Sequence, residues 1–173
     1  DKYAKEVELK GTFLEEEIKF KTPAGTFGKE SKVKMKSEGN GYWTYTTAPL
    51  PSELYWYNFV VNDDTIKVDK QNPNIVRDIN TLYNYFIVEG GIAEKYVDAK
   101  SKNGEIQYIW YPSSLEGMKK RRMAVYTPYD YDSTQLKQYP VLYLLHGSGG
   151  DETAWAECGR LVQIMDNMIN SGL

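Results

Sequence analysis

Residues 140–146 form a continuous apolar run, Pro-Val-Leu-Tyr-Leu-Leu-His, followed directly by Gly-Ser-Gly-Gly. A run without polar alternation is typical of a strand buried on both faces of a largely parallel sheet. Downstream, apolar residues recur at helical spacing over residues 154–169, which predicts an amphipathic helix with Asp151 or Thr153 as its N-cap. A strand, a glycine-rich turn and a helix in this order predict an α/β fold for this part of the chain.

The residues before Glu89-Gly90-Gly91 follow a different pattern. Short alternating segments, such as residues 7–13 and 54–61, are separated by turn signals, among them Glu38-Gly-Asn-Gly. Strands at this spacing without a helical period predict an antiparallel, immunoglobulin-like β-sandwich. The expected parts are a sandwich over residues 1–91, a polar linker over 92–103, and an incomplete α/β part over 104–173.

Charge and composition argue against nucleic acid or a membrane as a partner. The chain has 21 basic and 24 acidic residues and a net charge of −3, so it lacks the positive charge that both would attract. No apolar run approaches the roughly 20 residues that span a bilayer. The single cysteine, Cys158, excludes an internal disulfide, which fits a reducing compartment or an exported protein without such bonds. The polar start at Asp1 is typical of a mature sequence, and neither a cofactor nor a metal is expected.

Aromatic residues are abundant, at 14% of the chain. Aromatic rings suit β-strands, and they also stack on the apolar faces of sugar rings. Within residues 54–61 the odd-numbered side chains share the face that best suits a core, which turns Trp56 outward. An outward Trp56 fits a sugar platform, an interdomain contact or a covered surface residue, and Tyr42 can join it.

The front part resembles a known carbohydrate-binding family. Residues 41–62 contain a Gly-x-Trp strand, a Pro-Leu-Pro break and a Tyr-x-Tyr-x-Phe-x-Val strand. This pattern resembles the early-set immunoglobulin-like modules of carbohydrate-binding family 48, over roughly residues 15–90. The resemblance implies a β-sandwich that contacts a polysaccharide, with Trp56 and Tyr42 as candidate contact residues.

The back part resembles an esterase family. Arg-Arg-Met-Ala-Val-Tyr-Thr-Pro at residues 121–128, then His-Gly-Ser-Gly-Gly-Asp-Glu-Thr-Ala-Trp at 146–155, looks like the esterase D-like α/β-hydrolases. That group includes the feruloyl and acetylxylan esterases of carbohydrate esterase family 1. The resemblance implies an oxyanion hole with one backbone amide from this loop and one that follows the nucleophile; the amide of Ser148 is the first candidate for the loop donor, and that of Gly149 the next. It also implies that His146 supports the loop, while Trp155 lines the acyl pocket or packs under the loop. A tight turn leading into a helix would need the same glycines.

The sequence contains no catalytic triad. Ser148 fails as a nucleophile because His146 stands where the nucleophile elbow needs glycine, and no other serine lies in Gly-x-Ser-x-Gly. In this family the nucleophile, the acid and the catalytic histidine all follow later in the chain. We therefore expect a truncated domain that is inactive alone and is completed by the remainder of the esterase or by an oligomeric partner.

These resemblances imply a parent ester hydrolase, secreted or periplasmic, that acts on acylated plant polysaccharide such as arabinoxylan. Two alternatives remain open. A siderophore-ester hydrolase can also carry an early-set domain, although its anionic iron complexes would require a basic pocket. A non-catalytic carbohydrate-binding module would use Trp56 and Tyr42, and its esterase-like part would be only structural.

Overall fold

The structure is a computed structural model that describes residues 3–14, 20–22, 25–27, 32–62, 65–100 and 102–173. The chain divides into two compact units, Asp1–Ala93 and Glu94–Leu173. Antiparallel β-sheets dominate the described residues, and helices are few. The strands of the first unit are β1 (Val7–Gly11), β2 (Phe20–Thr22), β3 (Gly25–Phe27), β4 (Lys32–Lys34), β5 (Lys36–Gly39), β6 (Tyr42–Thr44), β7 (Glu53–Val61), β8 (Thr65–Lys67), β9 (Ile75–Asp78) and β10 (Thr81–Val88).

The central strand of the first unit is β7, whose aromatic and β-branched residues favour a sheet. It pairs with β1, β10 and β8, and the main sheet runs in the order β4-β1-β7-β10-β9. Strands β2 and β3 form one separate hairpin, and β5 and β6 form another. The turn of the second hairpin uses Gly39, Asn40 and Gly41 at φ values of 84°, 52° and 85°, which confirms the hairpin predicted there. These antiparallel sheets are compatible with the predicted sandwich.

The odd-numbered face of β7 forms an aromatic core, as predicted. The Tyr55 ring lies 5.9 Å from Phe13 and 5.4 Å from Phe86, measured between ring centroids. The opposite face is covered as well, because Asn58 is fully buried and Val60 is 8% exposed. The prediction identified the odd-numbered core face of β7 but not the covering of its even-numbered face.

Strand β9 was not predicted. Residues 75–78 follow Asn-Pro-Asn, a signal that favours a loop, yet they pair with β10 in the register Tyr83↔Val76. Val76 is 5% exposed, so burial against the sheet outweighs the loop signal that precedes the strand.

The second unit contains one antiparallel ribbon and two helices within its described part. The ribbon pairs β11 (Glu105–Pro112) with β12 (Lys120–Thr127), and this confirms the two strands predicted around the Ser114–Gly117 turn. The helices are α1 (Ala154–Glu157) and α2 (Leu161–Asn170).

The single helix predicted over residues 154–169 is wrong, because the chain breaks between α1 and α2. A Cβ on Gly159 would lie 2.8 Å from the Trp155 carbonyl oxygen, so this close approach requires glycine. Arg160 then adopts a left-handed φ of 53°, and its Nε donates to the Tyr96 carbonyl at 2.8 Å. This tertiary contact explains a break that the apolar pattern does not reveal.

The apolar run at residues 140–146 does not form the predicted strand. Its side chains are exposed, reaching 84% at Tyr143 and 87% at Leu145. A strand needs neighbouring backbone to satisfy its N–H and C=O groups, and no strand in the described residues pairs with this run. The α/β-hydrolase sheet implied by the resemblance is thus not shown.

The segment predicted as a polar linker, residues 92–103, makes specific contacts within the second unit. The Asn167 side-chain amide donates to the carbonyls of Lys95 and Val97, at 3.1 and 2.8 Å. Gln163 donates to Asp98 at 3.0 Å. The polar side chains of α2 therefore hold residues 95–98 in place.

Candidate functional site

The glycine-rich loop predicted to hold the oxyanion forms a defined turn. The Gly150 amide donates to the Gly147 carbonyl at 3.2 Å, which closes a four-residue turn around Ser148 and Gly149. Gly149 has a φ of 85°, the value found at the third position of a type II turn, and glycine adopts it without steric cost. We call residues 147–150 the oxyanion turn.

His146, the residue before this turn, contacts its first residue. Its Nδ1 lies 2.8 Å from the Gly147 carbonyl oxygen. Because a carbonyl oxygen only accepts, Nδ1 must carry the proton in this contact. A Cβ on Gly150 would lie 3.3 Å from the His146 ring nitrogen, so the ring packs closely against the end of the turn.

The two predicted donors, the amides of Ser148 and Gly149, lie at the exposed centre of the turn. Within the described part of the chain, neither amide donates to another protein group. An exposed backbone N–H group without a protein acceptor can donate to an oxyanion.

Trp155, predicted to line an acyl pocket or to pack under the loop, contacts the chain just before the turn. Its indole Nε1 donates to the Leu145 carbonyl at 3.1 Å, while 44% of the residue stays exposed. The N–H edge thus faces the loop, and much of the ring can still meet another group.

The residues after the turn form a second contact region that sequence reasoning missed. The Arg122 guanidinium on β12 forms an ion pair with Glu152. It also lies over the rings of Tyr108 and Trp110, at 4.9 and 5.8 Å from their centroids. Only the alternation of β11 and β12 hinted at this grouping, since it places these three side chains on one ribbon face.

In the first unit, Trp56 is half-buried and not fully outward, and its ring lies against Tyr83. The centroids are 5.7 Å apart and the ring planes meet at 30°. Tyr42 is 70% exposed on β6, in a hairpin separate from the main sheet. In the described structure, the ring contact of Trp56 is with Tyr83.

Asn58 lies next to this aromatic pair. The register Tyr57↔Asn84 places Asn58 across from Tyr83, on the face that also holds Trp56. Asn58 is fully buried, and both polar atoms of its side chain lack a hydrogen-bond partner in the described structure. Because native proteins rarely leave such groups unpaired, this residue needs an explanation. The only sign of this buried polar group in the sequence is the presence of an asparagine within an aromatic strand.

No helix in the described residues is long and apolar enough to cross a membrane. Those residues also contain no group of three or more His, Cys, Asp or Glu side chains arranged to hold a metal ion.

Comparison with known proteins relates the chain to part of a known enzyme. No family model matches the sequence. The chain is 32% identical over 152 residues to the endo-1,4-β-xylanase/feruloyl esterase of Xylanibacter ruminicola, an alignment that covers 80% of the chain. It spans about a fifth (19%) of that relative's length. The chain is thus related to part of a carbohydrate-active enzyme.

Proposed function

We propose that this chain forms the front part of a serine ester hydrolase that releases feruloyl or acetyl groups from plant polysaccharide such as arabinoxylan. The observation that carries the proposal is the oxyanion turn, with its free amides at Ser148 and Gly149. The relative, named a xylanase/feruloyl esterase, supports the substrate class. Such a polymer lies outside the cell, so we propose a secreted or periplasmic location.

The turn would act at the first step of hydrolysis. A serine hydroxyl attacks the ester carbonyl carbon, its proton passes to a histidine, and the carbonyl electron pair moves onto oxygen. The amide of Ser148, with Gly149 as the next candidate, would donate to this oxyanion together with an amide that follows the nucleophile. The alcohol of the polysaccharide then leaves with the proton, and water releases the acid from the acyl-enzyme. The serine, histidine and acid would come from sequence beyond this chain.

The test compares this chain with the longer protein that carries it, using methyl ferulate, acetylated xylan and ferric enterobactin. We expect the longer protein to hydrolyse the first two, and the chain alone to hydrolyse none. Turnover by the chain alone would disprove the prediction that it lacks a catalytic triad. Preference for ferric enterobactin would favour the siderophore-ester reading.

A second function, polysaccharide binding by the first unit, is favoured by the half-buried Trp56, whose ring lies against Tyr83. An aromatic ring that stays partly exposed can stack on the apolar face of a sugar ring. The expected ligand is an arabinoxylan-like polymer.

Affinity gels that contain arabinoxylan, xylan or glycogen test this binding. We expect retardation by a xylan-type gel and its loss in Trp56→Ala. Leu82→Ala is a matched control, because Leu82 is 47% exposed and points to the opposite face of β10. Tyr42→Ala decides whether that exposed ring contributes. Equal migration in all gels would exclude binding by this unit.

A further inference from the structure

The oxyanion turn contains three glycines among its four residues, so it has little rigidity of its own. An oxyanion hole works because its donors are fixed before the charge develops. The structure therefore has to restrain this turn from outside, and contacts on both of its flanks are suited to do so.

The upstream contact is the hydrogen bond from Trp155 Nε1 to the Leu145 carbonyl, at 3.1 Å. Leu145 is two residues before the turn, and Trp155 opens helix α1 together with Ala154. The Ala154 amide donates to the Asp151 carbonyl at 3.1 Å, so the helix start is joined to the residue right after the turn. The Trp155–Leu145 hydrogen bond therefore closes a loop that contains residues 146–151.

The downstream contact is the ion pair between Arg122 and Glu152. Glu152 lies two residues after the turn. The Asp151 carboxylate accepts from both the amide and the hydroxyl of Thr153, at 2.9 and 2.7 Å, which fixes the backbone at this point. Since Arg122 also stacks on Tyr108, the guanidinium is held from two directions.

We propose that Trp155 and Arg122 are positioning residues, which hold the oxyanion turn in place from its two flanks and thereby fix the amides of Ser148 and Gly149. This inference rests on the proposed esterase function. It assigns the indole N–H of Trp155 a role separate from any contact between its ring and the acyl group.

The test uses the longer esterase that carries this chain, with p-nitrophenyl acetate as substrate. Trp155→Phe keeps an aromatic ring but removes the donor to Leu145, and Arg122→Lys keeps the charge but removes the planar, stacked group. We expect each variant to lower kcat by about tenfold or more with little change in KM, because a displaced oxyanion donor affects the transition state more than substrate binding. Affinity for a phenylboronic acid, which forms a tetrahedral adduct, should fall in parallel.

Trp43→Phe is the matched control, since the indole nitrogen of Trp43 is buried without a partner. We expect its kcat to equal that of the wild type. In this chain alone, NMR relaxation should show increased motion of the Ser148 and Gly149 amides in Trp155→Phe, at a temperature where thermal unfolding shows the variant folded. An active wild type with unchanged kcat in both positioning variants would overturn this inference alone. A wild type without esterase activity would overturn the proposed function itself.

Discussion

The Tyr126 hydroxyl donates a hydrogen bond of 2.7 Å to the Asp166 carboxylate, and this contact joins strand β12 to helix α2. The same carboxylate oxygen accepts the Gly104 amide at 2.7 Å. Asp166 is only 3% exposed, so its charge depends on these donors in place of water. A Cβ on Gly104 would lie 2.5 Å from the Thr127 carbonyl, so a larger residue could not make this approach.

Replacing Asp166 with alanine tests how much this contact stabilises the second unit. Asp166→Ala leaves the Gly104 amide and the Tyr126 hydroxyl without their acceptor. We expect the free energy of unfolding to fall by about 2 to 3 kcal/mol, as measured by urea denaturation. Glu116→Ala is the control, because Glu116 is exposed in the turn between β11 and β12. Equal stability of the two variants would contradict the prediction.

Alkaline pH should weaken the fold through Tyr126. Burial, and then the neighbouring Asp166 carboxylate, raise the pKa of Tyr126 above its ordinary value. The folded state therefore favours the protonated phenol, so its contribution is complete below about pH 10 and declines as pH rises above that value. Burial also raises the pKa of Tyr57 in the first unit, so the contribution of Tyr57 to stability declines at alkaline pH in the same way.

Urea denaturation at pH 8, 9.5 and 11 measures this effect. We expect the free energy of unfolding to decrease most between the last two values in the wild type. Tyr126→Phe should show a smaller decrease over the same interval, because it removes a phenol whose pKa is raised in the folded state. A decrease of the same size in this variant would assign the pH dependence to other groups.

The local sequence pattern predicted much of the first unit, because the signals for its strands and turns lie in adjacent residues. The alternation in β7 identified the odd-numbered core face, and Glu38-Gly-Asn-Gly identified the β5–β6 hairpin. The same pattern could not predict that Asn58 is buried, since the covering of the second face depends on residues such as Tyr83 that are distant in sequence.

In the second unit, local pattern predicted elements whose partners are close in sequence. The ribbon of β11 and β12 is confirmed, because each strand supplies the backbone bonds of the other. The run at residues 140–146 is apolar enough for a strand, but pairing has to come from a neighbour, and the described residues supply none. The break at Gly159 arises from a tertiary contact of Arg160, which no helical period records.

Asn84 should be essential to the loop that precedes β9. Its fully buried side-chain amide donates to the carbonyls of Asp69 and Asn72, at 3.1 and 2.9 Å, and accepts from the Asp69 amide. We expect Asn84→Ala to lower the free energy of unfolding by about 2 to 4 kcal/mol, because it leaves several buried backbone groups unpaired. Asn74→Ala is the control, since that residue is exposed and contributes its backbone to the loop. Thermal unfolding of both variants tests this prediction, and similar unfolding midpoints would contradict the role of Asn84 in the loop.

Asn58 should behave in the opposite way, although it is as deeply buried as Asn84. Its side chain has no partner in the described structure, so no hydrogen bond offsets the free-energy cost of burying it. We expect Asn58→Val to raise the free energy of unfolding by about 1 kcal/mol and to leave retardation in xylan gels unchanged, because a fully buried side chain does not contact a polymer at the surface. Asn84→Val, which removes a satisfied amide of the same size, should lower stability under the same conditions. A loss of stability in Asn58→Val would contradict this prediction.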